Sequence, residues 1–237
     1  AFGKKIIAED FNGDGIKDLV VGDDSYNEIG SRQGAVYVFL GTVDGYQTPP
    51  ANILKGSVSK EDFGYDIAND LVVTSTYAYN LYMAPDSWGG IKLFLGSASG
   101  LSTTPISNII GTVDNEYLGD PAYAAGDVNA DGFDDILIKD RSTPENFTYE
   151  GQIRLYYGSS SGISDNNKWV FKGGQLEAHL GGSFAGPNDI NNDGYDDLVV
   201  GALGYTGSVD DYNTYTEGGI YIFYGSYTGV KLPSKLI

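Results

Sequence analysis

Acidic side chains recur in this sequence at a spacing that suits the binding of a hard metal ion. Three segments share the nine-residue pattern D-x-N-x-D-G-x-x-D. A tight loop can turn such side chains toward one centre, with the glycine at the sharp bend, and Ca²⁺ collects oxygen ligands in this way. Positions one, three, five and nine would supply side chains, and position seven a backbone carbonyl. The predicted metal ligands are Asp10, Asn12, Asp14, Ile16 and Asp18; Asp127, Asn129, Asp131, Phe133 and Asp135; and Asp189, Asn191, Asp193, Tyr195 and Asp197.

Two alternatives to this calcium hairpin can be weighed from the same residues. An EF-hand loop would place a bidentate Glu at position twelve, but Val21, Ile138 and Val200 stand there, so that alternative fails. An Asx-rich turn without metal is the simpler alternative, and three copies at equivalent positions argue against it. The matching segment between Asp66 and Asp70 lacks the glycine turn. We therefore expect three bound Ca²⁺ ions, with none in the second repeat.

The acidic loops lie between strands of a sequence repeat. An apolar strand that ends in glycine recurs at 35–41, 90–96, 152–158 and 219–225. Two shorter strands precede each copy and one follows it. Four short antiparallel strands in roughly 60 residues are typical of a β-propeller blade, which must pack against copies of itself. The sequence predicts an all-β propeller as one domain over 1–237, and a stack of hairpins in a sandwich or solenoid is the alternative. The expected blades are 1–56, 57–111, 112–173 and 174–237.

Composition and charge limit the classes of partner. The chain has 14 Lys and Arg against 32 Asp and Glu, which gives a net charge of −18. Such a field repels nucleic-acid phosphates, so no nucleic-acid partner is expected. No segment approaches the roughly 20 apolar residues of a membrane-spanning helix, so no membrane insertion is expected. The absence of cysteine excludes disulfides, thiolate metal sites and thiol nucleophiles.

Two features look like parts of a catalytic site. The segment 158–162 matches the G-x-S-x-G pattern of a nucleophile elbow, but the equivalent segments 41–45, 96–100 and 225–229 do not keep the middle serine. The single histidine, His179, directly precedes Leu180 in a predicted loop. We interpret the first feature as a turn of the repeat and the second as a loop residue. No catalytic residues are expected.

The repeats resemble the FG-GAP repeats of the integrin α-subunit propeller and its bacterial relatives. The FG element occurs four times, twice in a weaker Leu-Gly form: Phe2-Gly3, Phe63-Gly64, Leu118-Gly119 and Leu180-Gly181. The resemblance implies that calcium is structural and that the propeller presents a ligand face for adhesion or recognition. Integrin propellers have seven repeats, whereas this chain shows four. Either it closes as a four-bladed ring, or it supplies part of a larger, possibly seven-bladed ring, completed by self-association or by additional blades.

The loops between the second and third strands are the candidate ligand face. Turns alternate between the two edges of a four-stranded meander, so these loops lie opposite the calcium hairpins, and the resemblance to integrins implies ligand binding there. Tyr and Trp give large rigid contact areas with a polar tip, and local packing is the alternative. The aromatic candidates are Tyr26, Tyr79, Tyr82, Trp88, Tyr149, Tyr205, Tyr212 and Tyr215.

The expected function combines these predictions. The chain should be a calcium-stabilised binding or adhesion module that recognises a protein or carbohydrate ligand. An extracellular or cell-surface location is expected, because millimolar calcium outside cells would fill such sites. A sugar-binding lectin on the same scaffold, or the propeller part of a secreted polysaccharide-degrading enzyme, are the alternatives.

Overall fold

The computed structural model describes residues 1–57, 59–68, 72–75, 88–97, 99–113, 116–141, 149–206, 217–231 and 233–236. This part of the chain consists of strands and turns without a helix. It divides into two compact units, Ala1–Ala122 and Tyr123–Ile237. Within the described ranges, no helix has the length and apolar character needed to cross a bilayer. The single propeller domain over 1–237 and its ring size stay predictions.

The first unit contains two four-stranded antiparallel sheets. The first has the order β1-β2-β3-β6, and the second has the order β12-β9-β8-β7. Two short hairpins, β4 with β5 and β10 with β11, lie between the third and fourth long strands of these sheets. The strands are β1 (Phe2–Glu9), β2 (Asp18–Asp23), β3 (Ala35–Phe39), β4 (Gly41–Thr42), β5 (Gly45–Tyr46), β6 (Asn52–Lys55), β7 (Ile67–Ala68), β8 (Val72–Ser75), β9 (Gly90–Leu93), β10 (Gly96–Ser97), β11 (Gly100–Leu101) and β12 (Ser107–Ile110).

The second unit contains the other two four-stranded sheets, with the orders β13-β14-β15-β16 and β17-β18-β19-β20. Neighbouring strands follow one another in sequence, so each sheet is a meander. Together the four sheets confirm the prediction of an all-β chain built from propeller blades. The strands are β13 (Ala122–Gly126), β14 (Asp135–Asp140), β15 (Gln152–Tyr156), β16 (Lys168–Lys172), β17 (Leu180–Asn188), β18 (Asp197–Ala202), β19 (Gly219–Phe223) and β20 (Ser234–Leu236).

The core of each unit lies between its adjacent sheets. In the first unit, Val20, Val36 and Val38 of the first sheet share one buried cluster with Phe63 and Phe94. In the second unit, the buried cluster combines residues of β14 and β15 with residues of β17, β18 and β19. Strands that are covered on both faces read as continuous apolar runs rather than as an alternating pattern. This explains the runs of Val, Ile and Leu in the second and third strands.

A repeated backbone contact joins the start of the third strand of a sheet to the FG element that follows it in the sequence, and we call it the blade seam. A glycine just before the third strand meets the first residue of the following FG element. The pairs are Gly34 with Phe63, Gly89 with Leu118, and Gly151 with Leu180. The glycine has a positive φ, which is 80° at Gly34, and a Cβ there would lie 2.1 Å from the Phe63 carbonyl oxygen. Only glycine fits because both its φ and this close backbone approach exclude a side chain.

Candidate functional site

The three acidic loops are the hairpins that connect the first and second strands of the first, third and fourth sheets. Position one directly follows the first strand, and position nine is the first residue of the second strand. In the first sheet these positions are Asp10, after β1, and Asp18, which begins β2. Because both strands are antiparallel neighbours, all predicted ligands of a loop lie within one hairpin.

Hydrogen bonds bring positions one, three and five of the first hairpin together. Asp10 Oδ1 accepts the backbone N–H groups of Gly13 (2.8 Å) and Asp14 (3.1 Å), and its Oδ2 accepts that of Gly15 (2.7 Å). Asn12 Oδ1 accepts the same Asp14 N–H at 3.0 Å, and Asn12 Nδ2 donates to Asp14 Oδ2 at 2.9 Å. The side-chain oxygens of positions one and three therefore converge on the backbone of position five.

The other two hairpins repeat this arrangement. The Asp131 N–H donates to Asp127 Oδ1 and Asn129 Oδ1, both at 3.0 Å. In the fourth sheet the N–H of Asp193 donates to the residues at the equivalent positions at 3.0 and 2.9 Å. The glycine at position six has φ values of 85°, 89° and 90° in the three loops, a region that favours glycine. Three separate sequences thus fold into one loop geometry.

The carboxylate at position nine is fully buried and has a second structural role. Asp18 Oδ2 accepts the N–H of Phe11 at 3.0 Å, and Asp18 Oδ1 accepts the N–H of Gly41 at 2.8 Å. Gly41 lies two residues after β3, so the carboxylate ties the hairpin to the end of the third strand. The same pair of bonds occurs at Asp135 and Asp197. We did not predict this link from the sequence. Its trace there is the glycine that recurs two residues after the third strand in these three sheets.

Burial of this carboxylate has an electrostatic consequence in the third sheet. Loss of solvent raises the pKa of Asp135 to about 7, against the two backbone N–H groups that lower it. The charges of Asp131 and Asp127 contribute to this rise of the Asp135 pKa, less than burial does. Within the described ranges, the loop carboxylates form no ion pair with Lys or Arg. A divalent cation among these groups would offset their mutual repulsion.

The oxygen-rich donor set fits a hard cation such as Ca²⁺. At its predicted ligand positions each hairpin offers three carboxylates and one amide oxygen, and carboxylate oxygens that accept one N–H keep further lone pairs. Among the residues that the structure describes, no three acidic or histidine side chains already form a metal cluster. The three ligand sets stay predictions.

The second repeat places its acidic residue in a different environment. Asp66 is nearly buried, and its Oδ1 forms an ion pair with Lys5 Nζ at 2.8 Å and accepts the Ile67 N–H at 3.0 Å. Its predicted companion, Asp70, lies outside the described residues. An ion pair with lysine gives Asp66 a role in packing β1 against the second sheet.

Aromatic residues of the predicted ligand face mostly contact their own sheet. The Tyr26 hydroxyl donates to Glu28 Oε2 at 2.8 Å, and its ring lies 6.4 Å from that of Tyr37. Tyr205 is half-buried and packs against the core of the second unit. Trp88 is half-buried at the seam, where its carbonyl accepts the Leu118 N–H at 3.0 Å.

Tyr149 is the described member of this set that exposes its ring to solvent. Its side chain is 60% exposed, and its ring stacks on that of His179 at a centroid distance of 5.8 Å. The predicted members Tyr79, Tyr82, Tyr212 and Tyr215 lie outside the described residues. Local packing thus accounts for Tyr26 and Tyr205, whereas Tyr149 offers a flat aromatic surface.

The segment that resembles a nucleophile elbow is a turn of the repeat. Ser159 Oγ donates to the carbonyl oxygen of Gly162 at 2.6 Å. The equivalent hydroxyls of Ser97 and Thr42 make the same bond, each at 2.7 Å, to Gly100 and Gly45. This local hydrogen bond explains why a small hydroxyl residue and a glycine recur at these positions.

Comparison with known proteins agrees with the architecture. The FG-GAP repeat model matches residues 2–39 and 180–223, which are the first three strands of the first and fourth sheets. Human integrin alpha-6 is 25% identical over 182 residues, which is 73% of this chain and 15% of the human protein. Integrin alpha pat-2 of Caenorhabditis elegans is 23% identical over 211 residues, which is 81% of this chain and 17% of the nematode protein. Integrin alpha-4 of Xenopus laevis is 24% identical over 205 residues, covering 85% of this chain and 14% of the frog protein.

The chain spans only about a sixth of the length of these relatives. Within that span it carries the FG elements, the acidic hairpins and the four-stranded sheets described above. The two matched segments, 2–39 and 180–223, are FG-GAP repeats, and the chain is similar to integrin α subunits over 73–85% of its length.

Proposed function

We propose that this chain is a calcium-stabilised binding module that acts outside the cell, in adhesion or recognition rather than catalysis. The observation that carries the proposal is the set of three hairpins with one geometry. In each, the oxygens of positions one and three converge, and a buried carboxylate at position nine ties the hairpin to the third strand. A bound ion would therefore stabilise the whole four-stranded sheet and not only the exposed loop that holds it.

The negative charges of the hairpin carboxylates repel one another, and a bound Ca²⁺ ion would stabilise each blade by offsetting that repulsion. An ion that binds only the folded hairpin adds stability in proportion to RT ln(1 + [L]/Kd), or about 2.7 kcal/mol per site when calcium is at 100 times Kd. Loops with three carboxylates and few fixed ligands are typical of weak sites, which extracellular calcium fills. This dependence supports a location outside the cell or on its surface.

We assign ligand binding to the loops that connect the second and third strands of the sheets. Tyr149 presents a 60% exposed ring on this edge, held by its stacking on His179. Relatives that carry the name integrin α favour a protein ligand at the cell surface. A carbohydrate ligand is the alternative, since an exposed aromatic ring can also stack on a sugar.

A binding experiment with matched tyrosine variants tests this proposal. The chain, in calcium buffer, is applied to a panel of immobilised matrix proteins and to a glycan array. Tyr149→Ser should weaken the binding of whichever ligand is found at least about tenfold, as removal of an exposed anchor does. Tyr227→Ser is the control, because Tyr227 is 81% exposed but lies between β19 and β20, at the edge of the calcium hairpins.

The pattern of results distinguishes the alternatives. Binding to matrix proteins that falls with Tyr149→Ser supports a protein adhesin, and the same loss on glycans supports a lectin. Binding that falls with Tyr227→Ser but is unchanged by Tyr149→Ser would contradict the proposed face.

A further inference from the structure

The first acidic hairpin contains the single Asn-Gly dipeptide of the sequence, at Asn12 and Gly13. Gly13 occupies position four of the loop, where the backbone has a positive φ in all three hairpins: 76° at Gly13, 53° at Ala130 and 57° at Asn192. A Cβ at Gly13 would meet no atom within 4 Å, so packing does not require glycine there. The first hairpin thus shares its backbone conformation with the other two and differs in having no side chain after the asparagine.

The lack of that side chain makes the Asn12 amide reactive. The backbone nitrogen of Gly13 can attack Cγ of Asn12, because a bond between these two atoms closes a succinimide ring. A side chain on the following residue crowds the attacking nitrogen, whereas glycine allows close approach to the backbone. Since both groups belong to one short stretch of chain, the reaction needs no encounter with a second protein group.

Hydrogen bonds of the hairpin place a base and an oxyanion donor beside the reacting atoms. Asp10 Oδ1 accepts the Gly13 N–H, the proton that must leave, at 2.8 Å, which is within the reach of a general base. Asn12 Oδ1 accepts the Asp14 N–H at 3.0 Å, and negative charge develops on this oxygen when the nitrogen attacks. Within the described ranges, the N–H groups at position four of the other two hairpins make no such bond to position one.

We propose that Asn12 is a site of spontaneous deamidation, with the Gly13 nitrogen as the nucleophile and Asp10 as the base. The Gly13 nitrogen bonds to Cγ of Asn12 and gives its proton to Asp10. The bond from Cγ to Nδ2 then breaks, and Nδ2 takes up that proton and leaves as ammonia. Water, which reaches the exposed Gly13, opens the succinimide. Opening at Cγ gives an aspartate, and opening at the backbone carbonyl gives an isoaspartate.

Either product would change position three of the first hairpin. In the aspartate product, a carboxylate replaces the amide that donates to Asp14 Oδ2 at 2.9 Å, so two negative charges repel each other where a hydrogen bond was. In the isoaspartate product, the side-chain Cβ enters the main chain and lengthens the loop between positions three and four. The effect on the first calcium site rests on the proposed function, but the deamidation itself needs no metal.

Ageing of the metal-free, full 237-residue chain tests the proposal. The chain is kept in EDTA at neutral pH and physiological temperature, and samples are mapped by mass spectrometry of their peptides. Deamidation replaces an NH2 group by OH and so raises the peptide mass, and labelling by isoaspartate methyltransferase identifies the isoaspartate product. We expect Asn12 to convert while Asn129 and Asn191, at position three of the other hairpins, stay intact over the same time. Isomerisation of Asp14, which also precedes a glycine, leaves the mass unchanged and is thereby distinguished.

Three variants separate the roles of the dipeptide and of the base. Gly13→Ala should slow the conversion of Asn12 at least about tenfold, because the methyl group crowds the nitrogen. Ala130 already holds a positive φ at this position, so the hairpin accepts alanine there. Ala130→Gly is the matched converse and should make Asn129 convert faster than in the wild-type chain. Asp10→Asn keeps the Asn-Gly dipeptide and should slow the conversion of Asn12 at least about tenfold.

The outcomes that would contradict the proposal are specific. A wild-type chain that keeps Asn12 intact would overturn it, and so would equal conversion of Asn12, Asn129 and Asn191. An unchanged rate in Asp10→Asn would overturn the assignment of Asp10 as the base. Circular dichroism of each variant checks that it remains folded. All of these rates are measured in EDTA, so a failure of the proposed calcium sites would leave them unaffected.

Discussion

Removal of the buried carboxylate at position nine should damage the fold even without calcium. Asp135 accepts the N–H of Val128 at 3.1 Å and that of Gly158 at 2.8 Å, and all three groups are buried. Asp135→Ala leaves both donors without a partner, and each such loss costs about 1–3 kcal/mol. The free energy of unfolding should therefore fall by roughly 2–6 kcal/mol. Burial of the Asp135 carboxylate, which raises its pKa, itself costs the wild-type chain stability, and Asp135→Ala removes that cost. We therefore expect a loss of free energy in the lower half of this range.

Asp131→Ala is the matched comparison, because Asp131 belongs to the same hairpin but is exposed to solvent. Urea unfolding of both variants and the wild type is measured in EDTA and in millimolar calcium. In EDTA, Asp131→Ala should stay within about 1 kcal/mol of the wild type, as exposed positions do. In calcium, both variants should lose the stabilisation gained by the wild type at this site. Equal stability of Asp135→Ala and the wild type in EDTA would refute the structural role of position nine.

Three further predictions concern the seam, the core and the second repeat. Gly34→Ala should lower the free energy of unfolding by more than about 3 kcal/mol, because the new Cβ would lie 2.1 Å from a backbone oxygen. Gly15→Ala is the control: Gly15 also has a positive φ but lies in open space, so the loss should be about 1–2 kcal/mol. Equal losses in the two variants would contradict the seam contact. Phe63→Ala empties a buried site and should lower the free energy of unfolding by about 3–5 kcal/mol in thermal or urea denaturation, whereas a loss below 1 kcal/mol would argue against a core between sheets. Asp66→Asn removes the ion pair of a nearly buried carboxylate with Lys5 and should lower the free energy of unfolding by about 1–3 kcal/mol with no change in bound calcium. A lost calcium ion would overturn the prediction for the second repeat.

The repeat, the strand type and the hairpin positions could be predicted from the sequence because they depend on local spacing. Strands buried on both faces show as apolar runs, and the glycine at position six marks a sharp turn wherever it occurs. The positions of Asp10 and Asp18 relative to β1 and β2 follow from that pattern. Such features need no knowledge of which strands become neighbours.

The partners of the buried carboxylates could not be predicted in the same way. Asp18 accepts the N–H of Gly41, a residue 23 positions away, and Asp197 accepts that of Gly225, 28 positions away. These contacts exist only once the third strand pairs with the second, so no local pattern contains them. The seam glycines have the same origin, because the requirement for Gly34 comes from the backbone of Phe63 in the next sheet.

The aromatic loop residues show a further limit of reasoning from composition. Tyr26 and Tyr149 have the same residue type and belong to corresponding loops, yet Tyr26 packs by Tyr37 and Glu28 while Tyr149 is exposed. The neighbours in space decide whether a tyrosine covers its own sheet or is available to a ligand. Residue type alone could not separate the two.

The number of calcium ions bound per chain is the most direct test of the hairpin interpretation. Equilibrium dialysis of the metal-free chain against calcium should give three ions per chain, and Asp14→Ala, Asp131→Ala and Asp193→Ala should each remove one. All three substitutions together should abolish binding and the thermal stabilisation by calcium. A wild-type chain that binds no calcium at millimolar concentration, or a triple variant that binds as many ions as the wild type, would contradict the assignment of these hairpins as calcium sites.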